Sequence, residues 1–266
     1  MNEAGNGTVQ WDVDARGVAT VALNRPHVNN AYDGDLVTDI HEALDALGAQ
    51  PGLRAVVIRG NGRHFQAGAD LTWLDRVARE SAEENVRVSH ATGDAVRRLD
   101  GVPVPTIALV HGACIGGGTG IIAACDVVVA SEDAIFAISE SRWGMMAGVI
   151  FPQLVQAIGL RQLRRYAITG ERLDAREAQR IGLVHEVVPT GGLDEAGERI
   201  VSSILANAPG ATTSTKLRAL AVAGAFVDDG LFRDLVDEHA RTRQGAEAFE
   251  GRASFVEKRA ASWQPE

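Results

Sequence analysis

The stretch His111-Gly112-Ala113-Cys114-Ile115-Gly116-Gly117-Gly118-Thr119-Gly120 decides how this chain is read. It follows the apolar run Thr106-Ile107-Ala108-Leu109-Val110, which has the composition of a strand. It precedes Ile121-Ile122-Ala123-Ala124, which reads as the first turns of a buried helix. Glycines between a strand and a helix let the backbone approach a ligand or a neighbouring element closely. A helix start also presents unpaired N–H groups, so the turn suits an anion. That anion is either a bound phosphate or an oxyanion that forms during a reaction. A phosphate-binding P-loop needs Lys and then Ser or Thr after its last glycine, and Thr119-Gly120-Ile121 stands there instead. The stretch contains no clean G-x-G-x-x-G and lies mid-chain, which argues against a dinucleotide fingerprint. On the glycines alone, close packing and an oxyanion site weigh about equally.

A second loop of the same kind tips that balance. His64-Phe65-Gln66-Ala67-Gly68-Ala69-Asp70-Leu71 follows the apolar run 55–59 and again opens a helix, with Asp70 as its N-cap. Two such turns can aim two backbone N–H groups at one oxygen. A thioester enolate needs such a pair, because charge moves onto the carbonyl oxygen in the transition state. Removing one donor of this kind typically costs roughly 3 kcal/mol.

With both loops in view, the chain resembles the crotonase family, the enoyl-CoA hydratases and isomerases. The matching pieces run through almost its whole length. They are Asn24-Arg25-Pro26 with Asn30-Ala31, residues 65–71, residues 110–118 with Cys125-Asp126, and Phe136-Ala137-Ile138-Ser139-Glu140 with Gly144. Further pieces are Thr169-Gly170-Glu171-Arg172-Leu173, Gly182-Leu183-Val184 and Phe255-Val256-Glu257-Lys258-Arg259. The resemblance implies an α/β fold, a spiral of ββα units, with residues 1–200 as the core. Residues 201–266 would form a helical region used as a lid and for trimerisation.

The resemblance also assigns residues. Ala69 and Gly117 stand where the family's two oxyanion-hole N–H donors stand, and Glu140 where its second catalytic glutamate stands. Gly120 stands where typical hydratases carry their first glutamate, so that carboxylate is missing. Val28 and Ala67 lie where backbone groups meet the adenine end of CoA. Lys258 lies where family members reach the CoA phosphates of a neighbouring subunit. Trp73, Arg142 and Trp143 join Gly120 as candidates for the acyl pocket. Each of the first three has an equally good bland reading, as core aromatic or surface ion-pair partner.

The pattern around Gly120, with the Ser139-Glu140 segment and Val149-Ile150, is similar to methylglutaconyl-CoA hydratases and related branched-chain enzymes. The implied reaction is reversible hydration of a 2,3-unsaturated acyl-CoA, within the metabolism of fatty acids and related thioesters. A 3,2-enoyl-CoA isomerase or a hydratase-lyase also needs only one carboxylate. A non-catalytic acyl-CoA-binding or RNA-binding relative is the reading from outside enzymology. CoA enters as part of the substrate, so no separate cofactor and no metal are expected.

Composition bounds these readings. The 266 residues are 45% hydrophobic and 23% charged, ordinary for a globular chain. The net charge of −9, with no long basic run, argues against nucleic acid as a partner. The cysteines, Cys114 and Cys125, sit in apolar context without metal-ligand spacing, and read as reduced thiols in a cytoplasmic protein. Residues 1–8 are polar and unlike a signal peptide, and no apolar run reaches membrane-spanning length. The implied assembly is a homotrimer or a hexamer made of two trimers.

Periodicity predicts strands at 18–23, 55–59, 106–110, 127–130 and 135–138. Leu36, Ile40, Ala43, Leu44 and Leu47 share a helical face, capped by Asp33 or Asp35. Asp174-Ala175-Arg176-Glu177 has the capping-box pattern, and Gly182 marks a helix stop. Helices are expected at 193–206, 211–225 and 231–261, with Pro209 as a break. Glu140, standing alone, is more often an arginine's partner, with Arg142 the obvious choice; the family alignment favours catalysis. In an apolar pocket its pKa should rise toward the range useful for acid–base work. His64 and His111 read as hydrogen-bonded loop residues, and Asp126 as structural.

Overall fold

The computed structural model describes residues 7–265, so most of the polar 1–8 segment lies outside it. The chain opens with a hairpin, β1 (Val9–Val13) and β2 (Val18–Leu23), paired antiparallel with Val9 opposite Leu23. Then follow α1 (Gly34–Gly48), β3 (Ala55–Gly60), α2 (Leu71–Val77), α3 (Ala82–Asp100) and β4 (Thr106–Val110). The glycine stretch spans β5 (Ala113–Ile115) and α4 (Gly117–Ala123), and leads to β6 (Val127–Ser131) and β7 (Ile135–Ala137). Next come α5 (Phe151–Thr169), β8 (Leu173–Asp174), α6 (Ala175–Arg180) and β9 (Glu186–Val188). Four helices close the chain: α7 (Leu193–Leu205), α8 (Pro209–Val222), α9 (Asp229–Arg243) and α10 (Ala246–Glu257).

The larger sheet runs in the order β1-β2-β3-β4-β6-β9 and is parallel from β2 onward. Its strands are almost uninterrupted apolar runs because both faces are covered. Val56, Ile58, Ala108, Val110, Val128 and Ala130 point into the main core, on the side of α1 and α3. Val57, Ile107, Leu109 and Val129 point the other way, toward Ala196, Val201 and Leu205 of α7. This is the two-residue period of a pleated strand. α7 therefore runs unbroken through residue 200 with its buried face on the sheet.

The helix caps follow from local chemistry. The Asp33 carboxylate accepts from Leu36 N–H and settles the choice of α1 cap, and Asp70 accepts from Thr72 and Trp73 N–H. Asp174 accepts from Glu177 N–H, but Glu177 spends its own side chain on Arg180 and Tyr166, so only half of the capping box forms. Gly182 follows α6 with φ +92°, as a helix stop requires. Three expectations are corrected. α4 begins at Gly117 and not at Ile121, because Gly116 already turns the chain. α8 begins at Pro209 and not at 211: the expected break from α7 falls at 206–208, and Pro209 takes the first helical position, where the missing N–H costs nothing. The single helix expected over 231–261 is two, α9 and α10, parted at Gly245, whose extended backbone caps α10.

α8 is tied to the sheet by an ion pair between a buried lysine and a partly exposed aspartate. Lys216 Nζ lies 2.7 Å from Asp126 Oδ2 and also donates to the Val104 carbonyl. Asp126 in turn accepts from the Thr106 N–H and hydroxyl, so its reading as structural holds.

Candidate active site

The site forms where three chain segments are laced together. The smaller sheet, β5-β7-β8, pairs β5 with β7 in parallel, with Ile115 opposite Ala137. Parallel pairing brings the C-terminal ends of both strands to one place. Gly116 follows one end and Ser139-Glu140 the other, and the Gly116 N–H donates to the Ala137 carbonyl at 2.8 Å. The 64–70 loop is then stitched to β5: Gln66 N–H donates to Ala113 O, and Ile115 N–H to Gln66 O. Its far side is held by Tyr32, whose N–H donates to Gly68 O and whose carbonyl accepts from Asp70 N–H.

Side chains lock these loops. The buried Gln66 closes on its own loop, donating to Gly68 O and accepting from Gly68 N–H. The buried Asn30 donates to Asn61 O and His64 O. His64 Nδ1 accepts from Ala113 N–H, and His111 contacts the Gly62 carbonyl at 2.9 Å, so both histidines are loop braces as expected. Burial holds His64 below the usual histidine pKa, with the charges of Arg63 and His111 acting the same way.

The two loops meet at a cleft of about 490 Å³, where Ala69 and Gly117 both line the wall. Among the described residues neither the Ala69 nor the Gly117 N–H has a protein acceptor. Gly117 is the first residue of α4, so its N–H has no partner within the helix. Glu140 faces the same cleft from a short 3-10 turn and is the only carboxylate lining it among the described residues. Its Oε2 is buried and has no hydrogen-bond partner among the described residues. Burial raises its pKa above the usual glutamate range, against the opposing pull of the Glu140 and Ser139 N–H groups. No ion pair joins it to Arg142 among the described residues.

The other sequence candidates divide. Ala67, Trp73, Arg142 and Trp143 also line the cleft. The tryptophans differ sharply: Trp73 is 7% exposed and packs edge-on against Tyr32, whereas Trp143 is 60% exposed at the rim. Three candidates lie elsewhere. Val28 sits in the turn whose next residue, Asn29, accepts from Ala67 N–H; it adjoins the loop without reaching the cleft. Lys258 is exposed in the left-handed cap of α10. Gly120 is buried on α4 and is not part of the cleft wall, because Ile150 stands between.

The sequence did not single out Tyr32, Ile150 or Arg172 as site residues, yet all three line the cleft. Burial, with a smaller contribution from the Glu140 charge, pushes the Tyr32 phenol up to about 12, so it stays protonated. The ring lies against Gly117, where a Cβ would come within 2.8 Å of its Cε1. The only local signal was an aromatic residue following Asn30-Ala31.

The Enoyl-CoA hydratase/isomerase family model matches residues 14–266. The crystal structure of an enoyl-CoA hydratase from Shewanella pealeana superposes with a TM-score of 0.92 at 30% identity, covering 96% of each chain. A mevalonyl-coenzyme A hydratase of Aspergillus fumigatus is 32% identical over 93% of this chain and 92% of its own. A mitochondrial Delta(3,5)-Delta(2,4)-dienoyl-CoA isomerase of Dictyostelium discoideum is 30% identical over 92% of this chain and 87% of its own. The chain belongs to the enoyl-CoA hydratase/isomerase family, with the crotonase fold that its sequence implied.

Proposed function

We propose that this enzyme adds water reversibly to the 2,3-double bond of an acyl-CoA, with Glu140 as its single acid–base residue. The thioester oxygen sits between the Ala69 and Gly117 N–H groups. Glu140, ionised, takes a proton from water as the water oxygen bonds to C3. The π electrons move onto the thioester oxygen as an enolate, which the two N–H donors stabilise. The enolate collapses and C2 takes the proton back from Glu140, so one carboxylate serves both transfers. The observation that carries this reading is the lone buried carboxylate of Glu140 in one cleft with two unpaired amide donors.

A second reading, 3,2-enoyl-CoA isomerisation, draws on the same carboxylate. It removes a proton from C2 and returns it to C4, with no water added. The relatives named as a hydratase and as an isomerase support the two readings alike. A branched or carboxylated acyl group such as methylglutaconyl fits Arg142, whose guanidinium has no carboxylate partner among the described residues. The remaining assignments belong to the same reading. No cofactor acts beyond the CoA of the substrate, and Val28 and Lys258 serve CoA, the latter across subunits. Residues 201–266 build a homotrimer or hexamer in the cytoplasm. The exposed Phe226 and Phe255, 89% and 85% accessible, favour burial of that region in an assembly.

The test offers purified protein crotonyl-CoA, 3-methylglutaconyl-CoA and a 3-enoyl-CoA, following the conjugated thioester absorbance, with labelled water to score oxygen incorporation. Hydration predicts loss of conjugation with label in the product. Gain of conjugation without label selects isomerisation. No turnover of any ester, with acyl-CoA binding intact, overturns both.

A further inference from the structure

The missing carboxylate at position 120 leaves no gap. A Cβ on Gly120 would stand 2.4 Å from Ile150 Cγ2 and 2.8 Å from Ile150 Cβ. Any side chain there collides with a branched residue that has little freedom to turn away. Ile150 is 2% exposed and ends the turn Gly148–Ile150 just before α5. That turn is held in place by α3: a Cβ on Gly93 would meet Val149 Cβ at 3.1 Å, so Val149 packs directly on the helix backbone.

Ile150 also lines a second space. Between α1, α3 and the sheet lies an apolar pocket of about 60 Å³, Val37, Val96 and Leu99 among its residues. Tyr32, Thr92, Gly117 and Ile150 border both this cavity and the catalytic cleft. Gly117 carries one of the N–H groups assigned to the thioester oxygen. The first carbons of an acyl group therefore lie beside this shared wall.

We propose that Ile150 is the specificity-determining residue that ends the acyl pocket, and that glycine at 120 is the space that admits it. The wall confines the wild-type enzyme to short or branched acyl groups. Behind it is an apolar cavity that a longer chain would enter if Ile150 were cut back. The inference rests on the acyl-CoA reading above and not on which reaction follows.

The experiment measures binding of butyryl-, hexanoyl- and octanoyl-CoA by calorimetry to wild type, Ile150→Ala and Ile150→Val. Each buried methylene contributes about fourfold in affinity. Ile150→Ala is therefore expected to raise the octanoyl-to-butyryl affinity ratio tenfold or more, and Ile150→Val to raise it less in the same direction. A ratio within twofold of wild type in both folded variants overturns the proposal. Should Ile150→Ala fail to fold, Ile150→Val decides by the same ratio. Acyl-CoA binding without turnover of any enoyl ester overturns the catalytic reading alone, and the ratio still decides this one. No binding of any ester by wild type overturns both. Gly120→Ala supplies a further check: it should destabilise the wild type more than the Ile150→Ala background, where the 2.4 Å clash with Cγ2 is gone and only the 2.8 Å approach to Cβ remains, and equal costs in the two would count against the packing on which the proposal depends.

Discussion

The Glu140 carboxylate rests on the α-carbon of Gly116: a Cβ at position 116 would meet Glu140 Oε1 at 2.8 Å. The backbone there has φ +55° and ψ −120°, a conformation that side chains resist. Gly116→Ala therefore strains the turn and displaces the carboxylate at once. We expect a fall in kcat of at least about 10²-fold, since misplacement by about 1 Å costs that much. Circular dichroism and the melting temperature check that the fold survives; unchanged kcat in a folded variant would refute this coupling.

Glu140→Gln keeps the shape of the side chain and removes its proton chemistry. General acid–base catalysis of this kind typically contributes about 10²–10⁴-fold, so kcat should drop by that order while acyl-CoA affinity holds. Steady-state kinetics beside calorimetry separates the two quantities.

The raised pKa of Glu140 has two readable consequences. Hydration begins with the ionised form, so the acidic limb of the kcat/KM profile should lie above the usual glutamate range. For stability the direction is opposite. The folded state holds this proton more tightly than the unfolded chain. The stabilising contribution is thus complete below the unfolded pKa and is lost as pH rises through the folded one. Glu140→Gln should therefore melt higher than wild type at neutral pH, and the gap should close on acidification.

Lys216 and Asp126 lie 90 residues apart in sequence and 2.7 Å apart in the fold. The lysine side chain is 6% exposed and the aspartate 31%, so removing the lysine leaves a carboxylate that keeps water and its two Thr106 donors. We expect Lys216→Ala to cost roughly 1.5–3 kcal/mol, the loss of a charge-assisted hydrogen bond. Arg79→Ala, which breaks an exposed pair with Asp75, should cost under about 1 kcal/mol. Denaturant unfolding at matched protein concentration compares the two.

Arg142→Met tests the acyl class. A charge-assisted hydrogen bond contributes roughly 1.5–3 kcal/mol. KM for 3-methylglutaconyl-CoA should rise about tenfold or more, with crotonyl-CoA little affected. Equal changes for both esters would remove Arg142 from carboxylate recognition.

Much of the site was legible as sequence because its parts are local. The strands at 18–23 and 106–110, an aspartate cap at 33 or 35, the Asp70 cap, and the strand-glycine-helix turn each depend on residues a few positions apart. The order of the motifs along the chain was enough to reveal the family. The break at Gly245 was less legible, because a single glycine inside a helical pattern is often tolerated. Tyr32 was invisible as a site residue, and Ile150 stood only as part of a family-like segment, because nothing near either in sequence says what it will face.

By itself, then, the sequence determined a crotonase-type α/β chain with two glycine-bearing loops and a single candidate carboxylate, since propensity, capping and motif spacing are short-range properties. Only the tertiary structure decided how these meet. Parallel pairing of β5 and β7 sets Glu140 against Gly116. Packing of α4 against the start of α5 puts Ile150 where a side chain at 120 would stand. Contacts of that kind depend on how whole elements pack in three dimensions. The glycine at 120 looks in sequence like a lost carboxylate, and in the fold it is a filled wall.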